Sequence, residues 1–183
     1  DVASQHCIET HVAQTNGECW AMGVSPDGSG CITAGNDGEL KVWSLDTAGL
    51  KKAADRIGES GEQRYLHDRG VLYRQGKDRT LGISFHPRAD YIAVHGSEKA
   101  VEIWRIRTEP EIHKSLARKR RRRREKAAAS GQRNDDVDMV DGEEKEDIAS
   151  AEISEVFVPH VIVRTGGKVR SVDWIKSRAS KAL

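Results

Sequence analysis

The chain has 183 residues, 32% charged and 37% hydrophobic, and its 30 Lys and Arg against 29 Asp and Glu leave a net charge of +1. A total so close to zero selects no partner; the charges matter here because they are segregated along the chain. No apolar run approaches the roughly 18 residues a membrane-crossing helix needs, and Cys7, Cys19 and Cys31, spaced 12 apart with no C-x-x-C pair, argue against a zinc site or a disulfide framework.

In chain order, residues 1–12 read as an outer strand of a preceding unit, followed by a Thr15-Asn16-Gly17 turn. Cys19–Val24 is an inner strand with Trp20, Met22 and Val24 on one face, a period of two. A Pro-Asp-Gly turn leads to a second strand, Cys31–Ala34, and Asn36-Asp37-Gly38 makes a hairpin to a third, Leu40–Ser44. The outer strand, Val71–Arg74, is delayed by a polar, Gly-rich insertion over 46–69.

The stretch CWAMGVSPDGSGCITAGNDGELKVWSL then recurs 61 residues later as TLGISFHPRADYIAVHGSEKAVEIWRI, so that Pro26, Gly35 and Trp43 become Pro87, Gly96 and Trp104. It supplies strands at Arg79–Phe85, Tyr91–His95 and Val101–Ile106. An insertion over 107–155 delays the outer strand to Val156–Val163, and Val169–Ile175 opens a further unit. One such small sheet cannot bury its own face, so a repeat at fixed offset indicates stacked antiparallel units.

The repeat resembles the WD-repeat family. Thr33 stands at its second-strand Ser/Thr, Asp37 at its turn aspartate and Trp43 at its Trp, with Trp104 in the second copy. The pattern departs from the family in several places: Ser44 and Arg105 replace the Asp of "WD", and the Gly-His pair is Gln14-Thr15, Gln75-Gly76 or Arg164-Thr165. Val94 and Glu98 stand in for Thr33 and Asp37. A buried carboxylate at a tight turn needs amide donors, so Asp37 is expected to be structural. The reading is all-β: a partial propeller of about two blades, residues 13–75 and 76–163, with residues 164–183 as the first strand of the next. Closed propellers take about four to eight blades, so a fragment of a longer protein is expected.

The long insertion has its own order. Thr108-Glu109-Pro110-Glu111 has the form of a capping box with proline in the first turn, which predicts a helix over 109–129 with Ile112 and Leu116 as its apolar contact. It carries seven consecutive cations, Arg118, Lys119, Arg120, Arg121, Arg122, Arg123 and Arg124, with Lys126 beyond. Unbroken cations oppose a helix unless anions neutralise them, and nucleic-acid phosphates do so. Such a run also serves as a nuclear-import signal, or as a contact for an acidic protein. Asn134–Asp147, with eight acidic residues and one lysine, is too charged to pack, and residues 134–150 are expected to be a disordered loop.

Enzyme signatures are missing. Gly166-Gly167-Lys168 lacks the phosphate-loop spacing, and the seven histidines are scattered without metal-ligand spacing. No catalytic residue, metal, cofactor, small-molecule substrate or membrane partner is expected.

The segment RGVLYRQGKDRTLGISFHPRADYIAVHGSEKAVEIWRIRTEPEIHKSLARKRRRRREK is similar to the WD-repeat subunit of the UTP-B complex of the small-subunit (U3) processome, and the later VRTGGKVRSVDW looks like the strand that resumes the propeller there. That resemblance implies a nucleolar scaffold that assembles the other UTP-B WD-repeat subunits on U3 small nucleolar RNA and precursor ribosomal RNA. The alternative is a protein-interaction adaptor, of ubiquitin-ligase or chromatin type, whose basic run is only an import signal.

Overall fold

The computed structural model describes residues 5, 7–14, 17–54, 64–129 and 151–175. Two four-stranded antiparallel sheets follow one another, each a meander in chain order. The first is β1 (Ala21–Val24), β2 (Gly30–Ala34), β3 (Glu39–Leu45) and β4 (Leu66–Tyr73); the second is β5 (Thr80–Phe85), β6 (Tyr91–Gly96), β7 (Ala100–Ile106) and β8 (Phe157–Arg164). Helix α1 (Thr47–Ala54) lies between β3 and β4, while α2 (Glu109–Ala129) and α3 (Ile153–Val156) lie between β7 and β8. Both insertions thus interrupt the same connection, from third strand to outer strand.

The 61-residue offset holds at the level of strand register. Cys31 pairs with Trp43 as Ile92 pairs with Trp104, and Val24 with Cys31 as Phe85 with Ile92. Even the irregularities repeat, with a bulge before each tryptophan, at Val42/Trp43 and at Ile103/Trp104. The second bulge sits beside Pro159, which the outer strand tolerates because its amide is not needed there. At the first hairpin the left-handed position is Gly28, φ 72°, and its counterpart is Ala89, φ 56°.

Burial explains the pattern of the second strands, whereas Trp20, Met22 and Val24, the apolar face expected of the first inner strand, are exposed. Ile92, Ala93, Val94 and His95 are consecutive and all buried, as are Ile32, Thr33 and Ala34. Central strands covered on both faces read as continuous apolar runs, whereas one-sided strands alternate. The two sheets share one core that includes Ile32, Leu40, Leu72, Ile92, Val94, Trp104 and Phe157, each large side chain contributing about 1.5–3 kcal/mol. The inner strands approach closely at Gly23, where a Cβ would lie 2.7 Å from Ile83 Cγ2. Backbone bonds from Arg74 N to Gly38 O and from Thr80 N to Gly35 O, both 3.0 Å, tie the units across their connection. The architecture is a partial β-propeller of two four-stranded antiparallel blades, all-β apart from its insertions.

The two blades lock their third strands differently. In the first, Trp43 Nε1 donates to Thr33 Oγ1 at 2.8 Å, and Gln14 Nε2, from the pair standing in for Gly-His, donates to the same oxygen at 3.4 Å. Asp37 Oδ1 accepts from Glu39 N at 3.2 Å, while its buried Oδ2 has no partner among the described residues. In the second blade Val94 offers no hydroxyl and Trp104 is buried in the core. There a buried Arg74 bridges Glu102 (3.2 Å), Thr80 (3.0 Å) and Asp78 (3.3 Å). Burial raises the Asp78 pKa, but the Glu98 amide, Arg74 and Ser97 outweigh it and hold the carboxyl below its ordinary value.

His95 is also buried here, its Nδ1 without a partner among the described residues, and burial together with the Arg74 charge depresses its pKa against the opposing pull of the Gly96 backbone. A base with a depressed folded pKa binds its proton more readily when unfolded. Stability is therefore full above the ordinary value of 6.5 and is lost as pH falls towards the folded value. The urea midpoint is expected to fall between pH 7.5 and 5.5, and to fall less in His95→Gln. Carboxylates such as Asp78, ordinarily at 3.8, act only at lower pH. A wild-type midpoint flat across this window would refute the assignment.

Two segments expected to be strands of neighbouring blades have no partner strand among the described residues. Residues 7–14 pair with no strand; Glu9 Oε2 accepts the amides of Tyr65 (2.9 Å) and Leu66 (3.2 Å), and His11 packs edge-on against Trp43 at 5.4 Å. Residues 169–175 likewise form no strand. An inner strand is defined by its ladder to the second strand of its own blade, and no strand follows it among the described residues. Trp174 nevertheless docks beside β5, its Nε1 donating to Ser84 O at 3.3 Å. Residues 134–150, expected to be a disordered loop, lie outside the described residues, as do 176–183.

Candidate nucleic-acid interface

Helix α2 rises about 32 Å over its 21 residues, and its base is fixed from four sides. Glu111 Oε2 accepts from Thr108 N at 3.0 Å and from Thr108 Oγ1 at 3.2 Å, satisfying groups the first turn leaves open. Glu111 also pairs with Arg105. Thus the arginine that departs from the "WD" pattern is the one that grips the insertion. The Thr108 amide, followed by Arg105, holds the Glu111 carboxyl below its ordinary range. Ile112 is 3% exposed and lines a cavity of about 320 Å³ between the blades with Phe85, Ile106, Ile153, Val156 and Phe157. Leu116, its expected companion, is only half-buried.

The fourth fixture comes from the far end of the insertion. Glu155, on α3, accepts from Ser115 Oγ at 2.7 Å, Lys119 Nζ at 3.1 Å and Arg107 Nη1 at 3.3 Å. Ser115, then Lys119, keep its pKa low, and Glu152 followed by Glu155 raises that of Lys119. One carboxylate thereby joins the start of α2 to the residues just before β8.

The basic run is divided by helical phase. Arg118, Lys119, Arg122 and Lys126, with Lys114, Arg107, Glu111 and Glu155, line a groove of about 700 Å³. Lys119 is held by Glu152 and Glu155 at 3.1 Å, and Arg121 is paired with Glu125 at 2.7 Å on an exposed face. Arg120 and Arg124 are exposed and are not among the groove's described lining residues. The Arg123 side chain lies outside the described residues. Thr33, Asp37, Trp43 and Trp104 lie in the blades and not in this groove.

Sequence reasoning missed Lys114, Arg107 and Glu155. The first carried a signal, a lysine four residues before Arg118; the other two are brought in only by folding. Among the described residues no group of three His, Cys, Asp or Glu side chains is placed to hold a metal, and no helix is long and apolar enough to cross a membrane. Gly166-Gly167-Lys168 follows β8 in a turn where Thr165 Oγ1 donates to Gly167 O at 2.7 Å.

No protein-family profile matches the chain. It is similar to U3 small nucleolar RNA-associated protein 12 of Saccharomyces cerevisiae, 29% identical over 185 residues, covering 99% of this chain and 17% of that protein. It is also similar to human WD repeat-containing protein 3, 30% identical over 59% of this chain and 10% of that one. Protein hir-1 of Neurospora crassa is 28% identical over 56% of this chain and 9% of its own length. The chain therefore spans less than a fifth of these relatives. Among solved structures, Saccharomyces cerevisiae Sqt1 aligns with a TM-score of 0.35 at 15% identity, over 48% of this chain and 19% of that one.

Proposed function

We propose that the protein carrying this chain is a non-catalytic scaffold of ribosome biogenesis, a nucleolar WD-repeat component of the UTP-B/U3 small-subunit processome. In this reading its blades dock other WD-repeat subunits, and α2 contacts U3 small nucleolar RNA or precursor ribosomal RNA during 18S rRNA maturation. The observation that carries it is a cationic helix whose base is fixed by Ile112, Arg105 and Glu155 while its charges stay on the surface. An import signal is read as an extended peptide and has no need of such anchoring. Similarity over 99% of the chain to a protein named for its association with U3 small nucleolar RNA supports the same reading.

The test is in-cell UV crosslinking of the full-length protein, wild type against a version with Arg118–Arg124 changed to Ser and an unrelated nuclear signal added. Crosslinks to U3 or precursor ribosomal RNA that disappear in the variant are expected. Unchanged crosslinks would reduce the run to an import signal. None even in the wild type would favour a protein-interaction adaptor.

A further inference from the structure

We infer that a single RNA strand lies along one face of α2, its phosphates tracked by Lys114, Arg118, Arg122 and Lys126 rather than by the unbroken run Arg118–Arg124 as a whole. The inference rests on the RNA reading above and names which side chains make the contact. These four residues stand at i, i+4, i+8 and i+12, so they form one row, with a cation every ~6 Å of helix rise. All four line the same groove of about 700 Å³. The groove is open to solvent on one side, so a phosphate chain can reach all four side chains.

The other cations are placed for other work. Lys119 is committed to Glu152 and Glu155, and Arg121 to Glu125. Both acids in the groove are already engaged, Glu111 by Thr108 and Arg105, Glu155 by Ser115, Lys119 and Arg107. A phosphate chain therefore meets the row and not its counter-charges. Within the row, 114/118, 118/122 and 122/126 are like-charge neighbours that oppose the helix. Phosphates between them turn that repulsion into attraction.

The experiment compares two charge-matched triple variants of the full-length protein, binding a fluorescein-labelled 20-nucleotide oligouridine across a salt series. One carries Arg118→Gln, Arg122→Gln and Lys126→Gln; the other Arg120→Gln, Arg121→Gln and Arg124→Gln. Each lost phosphate contact lowers the slope of log affinity against log salt by ~0.7 for a single strand. The groove triple is expected to lose about 2 in slope and about a hundredfold in affinity at 0.1 M salt, and the other triple less than about 0.5 in slope. Equal losses in both triples would overturn the inference and leave the RNA reading standing. No binding by the wild type, or equally good competition by polyglutamate, would overturn the RNA reading and the inference with it.

Discussion

Replacing Glu102 by Leu is expected to destabilise the protein by about 3–5 kcal/mol, because it leaves a buried arginine short of its counter-charge. The side chains of Arg74 and Glu102 are 2% and 6% exposed. Glu102 also accepts the amides of Gln75 at 3.1 Å and Gly76 at 3.0 Å, so its loss strands two donors as well. Arg74→Met is expected to cost somewhat less, since those amides still hold Glu102. The double variant should recover at least about 2 kcal/mol of the summed cost, since an apolar pair of similar size replaces a buried ion pair with little penalty. Asp78, which Arg74 also touches, keeps Ser97 Oγ at 3.1 Å and Glu98 N at 2.9 Å. Urea unfolding of the four proteins gives the coupling directly. A coupling below about 0.5 kcal/mol would show that the ion pair is not what locks the second blade to the first.

Ile112→Ala is expected to cost about 2–5 kcal/mol, because it truncates a side chain that is only 3% exposed. Leu116→Ala, half-buried and one turn further out, should cost less than half as much. Hydrogen exchange separates global from local effects. In Ile112→Ala the amides of the first turns of α2 should lose protection more than those of β6, since Ile112 is the one buried apolar side chain of α2 among the described residues. Equal loss in both would mean that Ile112 serves the blade core and not the anchoring of the helix.

The sequence carried the blades well, for a local reason. Strand alternation, the Pro-Asp-Gly and Asn-Asp-Gly turns and the 61-residue period are all interactions between near neighbours or their repeats, and they appear in composition before any tertiary contact forms. The helix was legible on the same ground, since Thr108 and Glu111 are three residues apart and satisfy each other. Thr33 and Trp43 stood out in the sequence only by resemblance to the repeat pattern; the bond between them, ten residues apart across one hairpin, is seen only in the fold. For residues 1–12 an alternating segment states only that a strand is possible; whether it pairs depends on which edge it meets.

By itself, then, the sequence determined the repeated β-architecture, the helix within the second insertion and the density of its charge. Tertiary structure decided where those charges are placed and which are paired. Arg74 and Glu102 are 28 residues apart, and Ser115 and Glu155 are 40 apart. Nothing in either neighbourhood announces the partner. Lys119 stands inside the basic run and looks like its neighbours, yet folding commits it to Glu152 and Glu155. Lys114 stands outside the run, and helical phase places it in the groove with Arg118 and Arg122. A charge count is additive along the chain, whereas a surface is built by helical phase and long-range packing, and only folding supplies those.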